Sequence, residues 1–284
     1  VLIKPQIALH LGVHKTATTY VQSRLWNSRE ELKKNRINYI GLDELRKRLT
    51  SKLGDISFGK QAVFDALFPF MNCNRLIISD ENILGGTDAP RRQAFYPWAK
   101  QKVKKVHSGL EGCDVEIYVT IRSFPDYLVS RYSESLRHFK FLAFEDYMSG
   151  ISSKNISWLP MLEDLALVGA KHIYVNDFKY VVDGDKYLHE LIGKRLELSE
   201  ASQGSWVKRS KISQEAYEIV KLYAESYSDQ STRRLVGMMD NHPQTTKSNP
   251  FMPFTKAQLD TFKERYEKEV EIIRRDPRFT YIPE

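Results

Sequence analysis

Residues 7–26, IALHLGVHKTATTYVQSRLW, constrain the fold more than any other stretch. Ile7 to Leu11 is a short apolar run of strand formers. Gly12 punctuates it, and from Thr18 apolar residues recur at helical spacing: Val21, Leu25 and Trp26, then Leu32. This is a strand, a tight loop and a helix. The loop holds Lys15, followed by the hydroxyls of Thr16, Thr18 and Thr19, with Ala17 between them. Such a turn aims backbone N–H groups and the positive end of the helix dipole at one point. An ammonium and hydroxyl donors added there suit a phosphate or a sulfate. The bland alternative is a turn with a solvated lysine and a threonine cap.

The rest of the chain fits an α/β protein. Leu76 to Ile78 is a buried strand followed by Ser79, Asp80 and Glu81, and Val115 to Ile121 is a second, ending at Arg122. Shorter strands are expected at 38–42 and 172–175. Helices are expected within 43–70 and over 94–107, from Pro125 onward, over 143–167 with Pro160 interrupting, and over 185–196, 213–227 and 256–275. Strands separated by helices imply a three-layer α/β/α fold around a central, mostly parallel sheet. One domain spans 1–284, with a core over about 7–180 and a C-terminal helical elaboration over about 183–284. Ligands of open α/β sheets sit at the carboxyl ends of strands, which is where Asp80, Glu81 and Arg122 fall.

Composition limits the partners without choosing one. Lysine and arginine number 43 against 36 acids, a net charge of +7, which favours anionic ligands. Basic residues interleaved with aromatics, as in a nucleic-acid module, are not evident. Cys73 and Cys113 form neither a metal-spaced cluster nor a disulfide scaffold, so a reducing, cytoplasmic setting is expected. No apolar run approaches a membrane span. The opening VLIKPQIALHLG is too short and too quickly interrupted for a signal peptide.

Arg122 and Ser130 make a second candidate anion site. A strand-terminal guanidinium and a hydroxyl eight residues on, in the following helix, can reach one phosphate together. Alone, this pair is no better than a salt-bridged arginine and an unremarkable serine. Beside Lys15 to Thr19 it gains weight. The loop lacks the second glycine of G-x-x-x-x-G-K-[ST] and instead resembles K-[TS]-[GA]-T-T, the 5′-phosphosulfate loop of sulfotransferases that use 3′-phosphoadenosine 5′-phosphosulfate (PAPS). Arg122, Pro125, Asp126, Ser130 and Tyr132 resemble the 3′-phosphate signature R-x-P-x-D-x-x-x-S-x-Y of the same family, with one extra residue before Pro125. Ala17 stands where glycine is usual. The resemblance covers residues 7 to about 140, more weakly 172–175, and is strongest toward bacterial and carbohydrate sulfotransferases, hence the expectation of a bacterial source.

The resemblance implies in-line transfer from PAPS to an acceptor hydroxyl on a glycan or glycolipid, leaving adenosine 3′,5′-bisphosphate (PAP), with no metal required. Lys15 would stabilise charge on the bridging oxygen. Thr16, Ala17, Thr18 and Thr19 would hold the 5′-phosphate, and Arg122 and Ser130 the 3′-phosphate. Glu81 is the candidate general base, with Asp80 or His14 as alternatives, whereas His10 alternates with apolar neighbours and reads as packed. Arg209 and Ser210, in the basic stretch SWVKRSKIS, would close over the nucleotide. Trp98, Trp158 and Trp206 could stack on adenine or a sugar. Membrane-surface association would fit a glycolipid acceptor.

Two rivals stand. In a P-loop small-molecule kinase, LIISDE would supply a Mg²⁺ site and Lys15-Thr16 a degenerate loop, so magnesium dependence separates it from a sulfotransferase. A non-catalytic binder of nucleotide or anionic polymer would show salt-sensitive binding without turnover.

Overall fold

The computed structural model describes residues 4–86, 94–181, 185–201, 212–240 and 248–282. Six strands form one sheet: β1 (Gln6–His10), β2 (Ile37–Tyr39), β3 (Arg75–Ser79), β4 (Val115–Ile121), β5 (His172–Asp177) and β6 (Thr280–Ile282). Their order is β2-β3-β1-β4-β5-β6, and every neighbouring pair is parallel. β1 lies between β3 and β4, in register from Ile7 opposite Leu76 on one side and Val115 on the other. Chain order reverses around β1, because β3 lies on one side of it and β4 on the other. Crevices form at such reversals, beyond the carboxyl ends of the strands.

The helices are α1 (Thr18–Asn27), α2 (Arg29–Lys34), α3 (Leu42–Arg48), α4 (Lys60–Leu67), α5 (Ala99–Gly109) and α6 (Phe124–His138). Then come α7 (Phe144–Ser149), α8 (Leu159–Ala166), α9 (Lys186–Ile192), α10 (Gln214–Ser226), α11 (Asp229–Asp240) and α12 (Lys256–Arg275). Side chains alternate across the strands and divide the core in two. Ile7, Leu9, Leu76, Ile78, Ile117 and Val119 pack with Leu45, Val63, Val103, Leu128, Leu162 and Ile273 on one face. Ala8, Ile77 and Tyr118 pack with Val21, Leu25, Leu32, Leu188 and Leu191 on the other. Both faces are covered, giving the expected three layers. Trp26, placed in the apolar stripe of α1 by its spacing, is half-exposed and lies under the Arg29 guanidinium (4.6 Å).

A third cluster joins α6 and α7 to α10 and α11 through Tyr132, Phe144, Tyr217, Val220, Val236 and Phe251. The elaboration after residue 183 is therefore mixed. α10 and α11 build this cluster, whereas α9 and α12 cover the sheet and β6 extends it beside β5. Among the described residues no helix is long and apolar enough to cross a membrane.

His10 is buried at the carboxyl end of β1, its Nδ1 2.7 Å from Ser79 Oγ. Burial pushes its pKa from 6.5 down to about 4. The unfolded chain thus protonates first, and the contribution of neutral His10 to stability is complete above pH 6.5 and lost as pH falls toward 4. The full effect is about 3 kcal/mol. His10→Gln is expected to flatten the acid limb of stability against pH over that window. An unchanged slope in urea titrations at pH 4.5, 5.5 and 7 would count against it.

Candidate active site

Loops from β1, β3 and β4 meet at the carboxyl edge of the sheet. The first runs from β1 into α1. Gly12, Lys15 and Ala17 all take positive φ (51°, 68° and 61°), folding the backbone into the kind of concavity in which N–H groups converge. Thr16 ties the loop down: its hydroxyl donates to the Val13 carbonyl at 2.6 Å and accepts the Val13 N–H at 3.1 Å. The hydroxyl proton is spent there, so what Thr16 offers an anion is its backbone N–H. Ala17 is the N-cap of α1, and no side chain caps that helix. The amides of Thr18 and Thr19 at its start are placed to receive an anion instead. The Thr18 side chain is buried, and Thr19 is exposed.

Gly12 is required by shape as well as by φ. A Cβ there would stand 2.4 Å from Thr18 Cγ2, inside any permitted contact. Gly12→Ala is expected to destabilise the fold by about 1–3 kcal/mol, read from urea unfolding.

The second loop follows β3. Asp80 is fully buried and receives Arg46 through two bonds of 3.1 Å each. It also accepts the Asn82 N–H and the Asn82 side-chain amide (3.1 and 3.0 Å). This fixes the tautomer of His14. With its NH₂ on Asp80, Asn82 turns Oδ1 to His14 Nε2 at 3.1 Å, so Nε2 carries the proton. His14 Nδ1 then accepts from the Tyr96 hydroxyl at 3.0 Å, while that hydroxyl accepts the His14 N–H at 2.9 Å. Burial pulls the imidazole below its ordinary pKa, although the nearby Glu81 carboxylate works the other way. His14 is thus held neutral with both nitrogens engaged. Glu81 is held less tightly, 3.4 Å from both Gln22 Nε2 and Arg46 Nη2. Of the three candidate bases, Asp80 is committed to structure and Glu81 has the loosest bonds.

The third loop carries Arg122. Its Nη1 donates to the Lys15 carbonyl at 2.7 Å, and its guanidinium lies over the Phe178 ring at 4.2 Å. Its Nε is buried with no hydrogen-bond partner among the described residues. Burial draws Arg122 below the usual arginine pKa, with Asp126 and Asp177 acting against it. A desolvated guanidinium with an unsatisfied donor is a group that an anion would complete. Trp158 holds the arginine from behind by donating Nε1 to the Arg122 carbonyl at 2.9 Å. Trp158 is fully buried, so it serves packing and not stacking on a ligand, whereas Trp98 is half-exposed.

Ser130 lies in α6, and Glu134 follows one turn on, on the same helix face. Glu134 Oε2 reaches Lys15 Nζ at 3.1 Å. The face of α6 that carries Ser130 therefore fronts the Lys15 loop. Reading the sequence alone misses Glu134, Tyr96, Arg46 and Asn82, and only Glu134, by its spacing from Ser130, carries a signal there. The structure brings together Lys15, Thr16, Ala17, Thr18, Arg122 and the Ser130 face of α6, with His14 and Glu81 across the loop. Arg209, Ser210 and Trp206 lie outside the described residues. Two sets of donors lie along this edge, one at the α1 N-terminus beside Lys15 and the other at Arg122. Among the described residues no group of three or more His, Cys, Asp or Glu side chains could hold a metal ion.

No protein-family model matches the chain, and no curated protein matches it. A role for this edge therefore rests on fold and side-chain geometry.

Proposed function

We propose that the chain is a PAPS-dependent sulfotransferase acting on an acceptor hydroxyl, with a carbohydrate or glycolipid as the expected acceptor. One observation carries the reading. Arg122, with a buried Nε unpartnered among the described residues, is bonded directly to the backbone of Lys15, which supports two anion subsites sharing one wall. A ligand with two anionic groups on one small scaffold matches that arrangement better than a single phosphate does. PAPS supplies an activated sulfuryl group and leaves as the 3′,5′-bisphosphate.

The residues divide the work. The amides of Thr16, Ala17, Thr18 and Thr19 bind the 5′ anionic group at the start of α1. Lys15 puts an ammonium beside the bond that breaks, where negative charge grows on the leaving oxygen. Arg122 and Ser130 bind the 3′-phosphate. Glu81 takes the acceptor proton, and His14, clamped between Tyr96 and Asn82, keeps the loop in place. A cytoplasmic, bacterial enzyme is part of the same reading.

Calorimetric titration with adenosine 3′,5′-bisphosphate, beside ATP with and without Mg²⁺, tests it. Metal-free binding of the bisphosphate supports the proposal. Preference for Mg·ATP would replace it with a kinase, and bisphosphate binding with no turnover on any hydroxyl acceptor would leave a binder. Glu81→Gln is expected to lower kcat by about 10²-fold with bisphosphate affinity unchanged. Equal kcat in the variant would remove Glu81 from the chemistry.

A further inference from the structure

Lys15 is met by a carboxylate. Its ammonium lies 3.1 Å from Glu134 Oε2, and the two side chains are only 20% and 29% exposed. An acidic residue at the mouth of an anion site opposes the ligand unless it has a task there. Glu134 has further partners from its own helix. Arg137 Nη1 is 3.1 Å from the same oxygen, and His138 Nε2 is 3.1 Å from Oε1. Burial works to raise the Glu134 pKa, but Lys15, then Arg137 and His138, overcome it and hold the carboxyl at about 2. It is ionised at every working pH.

Resting on the sulfotransferase reading, we propose that Glu134 is an exchangeable counter-ion for Lys15. It holds the ammonium at the loop before the nucleotide enters, then yields it to the ligand's 5′ anionic group. Arg137 makes the exchange feasible. When Lys15 leaves, the carboxylate keeps a charged partner at 3.1 Å and is not stranded in a half-buried position. Glu134 is a positioning residue, and its effect is felt only through Lys15. Arg137, which also donates to the Ser133 carbonyl at 2.9 Å, is fixed to the helix and stays behind.

A double-mutant cycle read by calorimetry tests the exchange, with adenosine 3′,5′-bisphosphate and adenosine 3′-monophosphate as probes. Glu134→Gln is expected to bind the bisphosphate about three- to tenfold more tightly, because Lys15 no longer has to be released. Affinity for the 3′-monophosphate, which lacks the 5′ group, stays the same. In a Lys15→Met background, Glu134→Gln changes neither affinity. Equal tightening with and without Lys15 would mean that only a repulsive charge had been removed, and the exchange is overturned. Unchanged or weakened bisphosphate binding in the single variant overturns it too. If the native protein does not bind the bisphosphate at all, the sulfotransferase reading fails and takes the exchange with it, a result distinct from the others. Thermal unfolding checks that each variant is folded. Should Glu134→Gln unfold, Glu134→Asp, whose shorter carboxylate cannot keep both Lys15 and Arg137, carries the same comparison.

Discussion

Lys15→Ala is expected to cut sulfuryl transfer by about 10²–10³-fold, with most of the loss in kcat. The amides at the start of α1 stay where they are, so bisphosphate affinity falls by no more than about tenfold. The backbone gives a second handle on this position. Lys15 sits at φ 68°, a left-handed conformation that costs an L-residue about 1–2 kcal/mol and costs glycine little. A solvated lysine in an ordinary turn has no need to bear that strain. Lys15→Gly should therefore unfold at a temperature no lower than Lys15→Ala while being just as inactive. Near-native turnover in either variant would remove the lysine from the mechanism, and with it the reading of the loop.

Much of the fold is legible in the sequence because parallel sheets buried on both faces write themselves as apolar runs. IALH, RLIIS and VEIYVTI are such runs, and they lie in the three central strands. The elements that escape are short or set by tertiary contact. β6 has three residues and no apolar run, and exists because β5 offers it an edge. Pro160 does not interrupt a helix over 143–167. Instead it stands in the first turn of α8, where its missing N–H costs nothing. The helix expected from residue 94 begins at Ala99, since Tyr96 is turned to φ 53° to aim its hydroxyl at His14. In α11, DQSTRRLVGMMD is too polar to announce a helix, and Val236 and Thr232 become buried only against its neighbours.

The site divides in the same way. Lys15, Arg122 and Ser130 stand out as candidates because each sits at a fixed place after a recognisable strand. Glu134 shares a helix face with Ser130, but no sequence rule states that this face fronts the Lys15 loop. Asp80 and Glu81 look equivalent as adjacent acids. Arg46, from a helix more than thirty positions upstream, separates them by taking both oxygens of Asp80.

Arg122 supports the other large prediction, and its environment dictates the choice of variant. The guanidinium contributes three things: a bond to the Lys15 carbonyl, a stack on Phe178, and an unsatisfied Nε. Arg122→Ala removes all three and would confuse a lost ligand contact with a displaced loop. Arg122→Met keeps an apolar stem against Phe178 and deletes the donors, the one to the Lys15 carbonyl included, so a ligand without a 3′-phosphate is needed to report on the loop. The variant is expected to weaken adenosine 3′,5′-bisphosphate binding by about 10- to 100-fold, the range for a charged hydrogen-bonding partner, and to leave adenosine 5′-monophosphate binding nearly unchanged. Because the loss is in binding, transfer at saturating PAPS should stay within a few-fold of native, the reverse of the Lys15→Ala pattern. Equal loss for the 5′-monophosphate would mean that Arg122 serves the loop through the Lys15 carbonyl and not the 3′-phosphate. The two subsites would then collapse into one, and a single-phosphate ligand would become the better account of this edge.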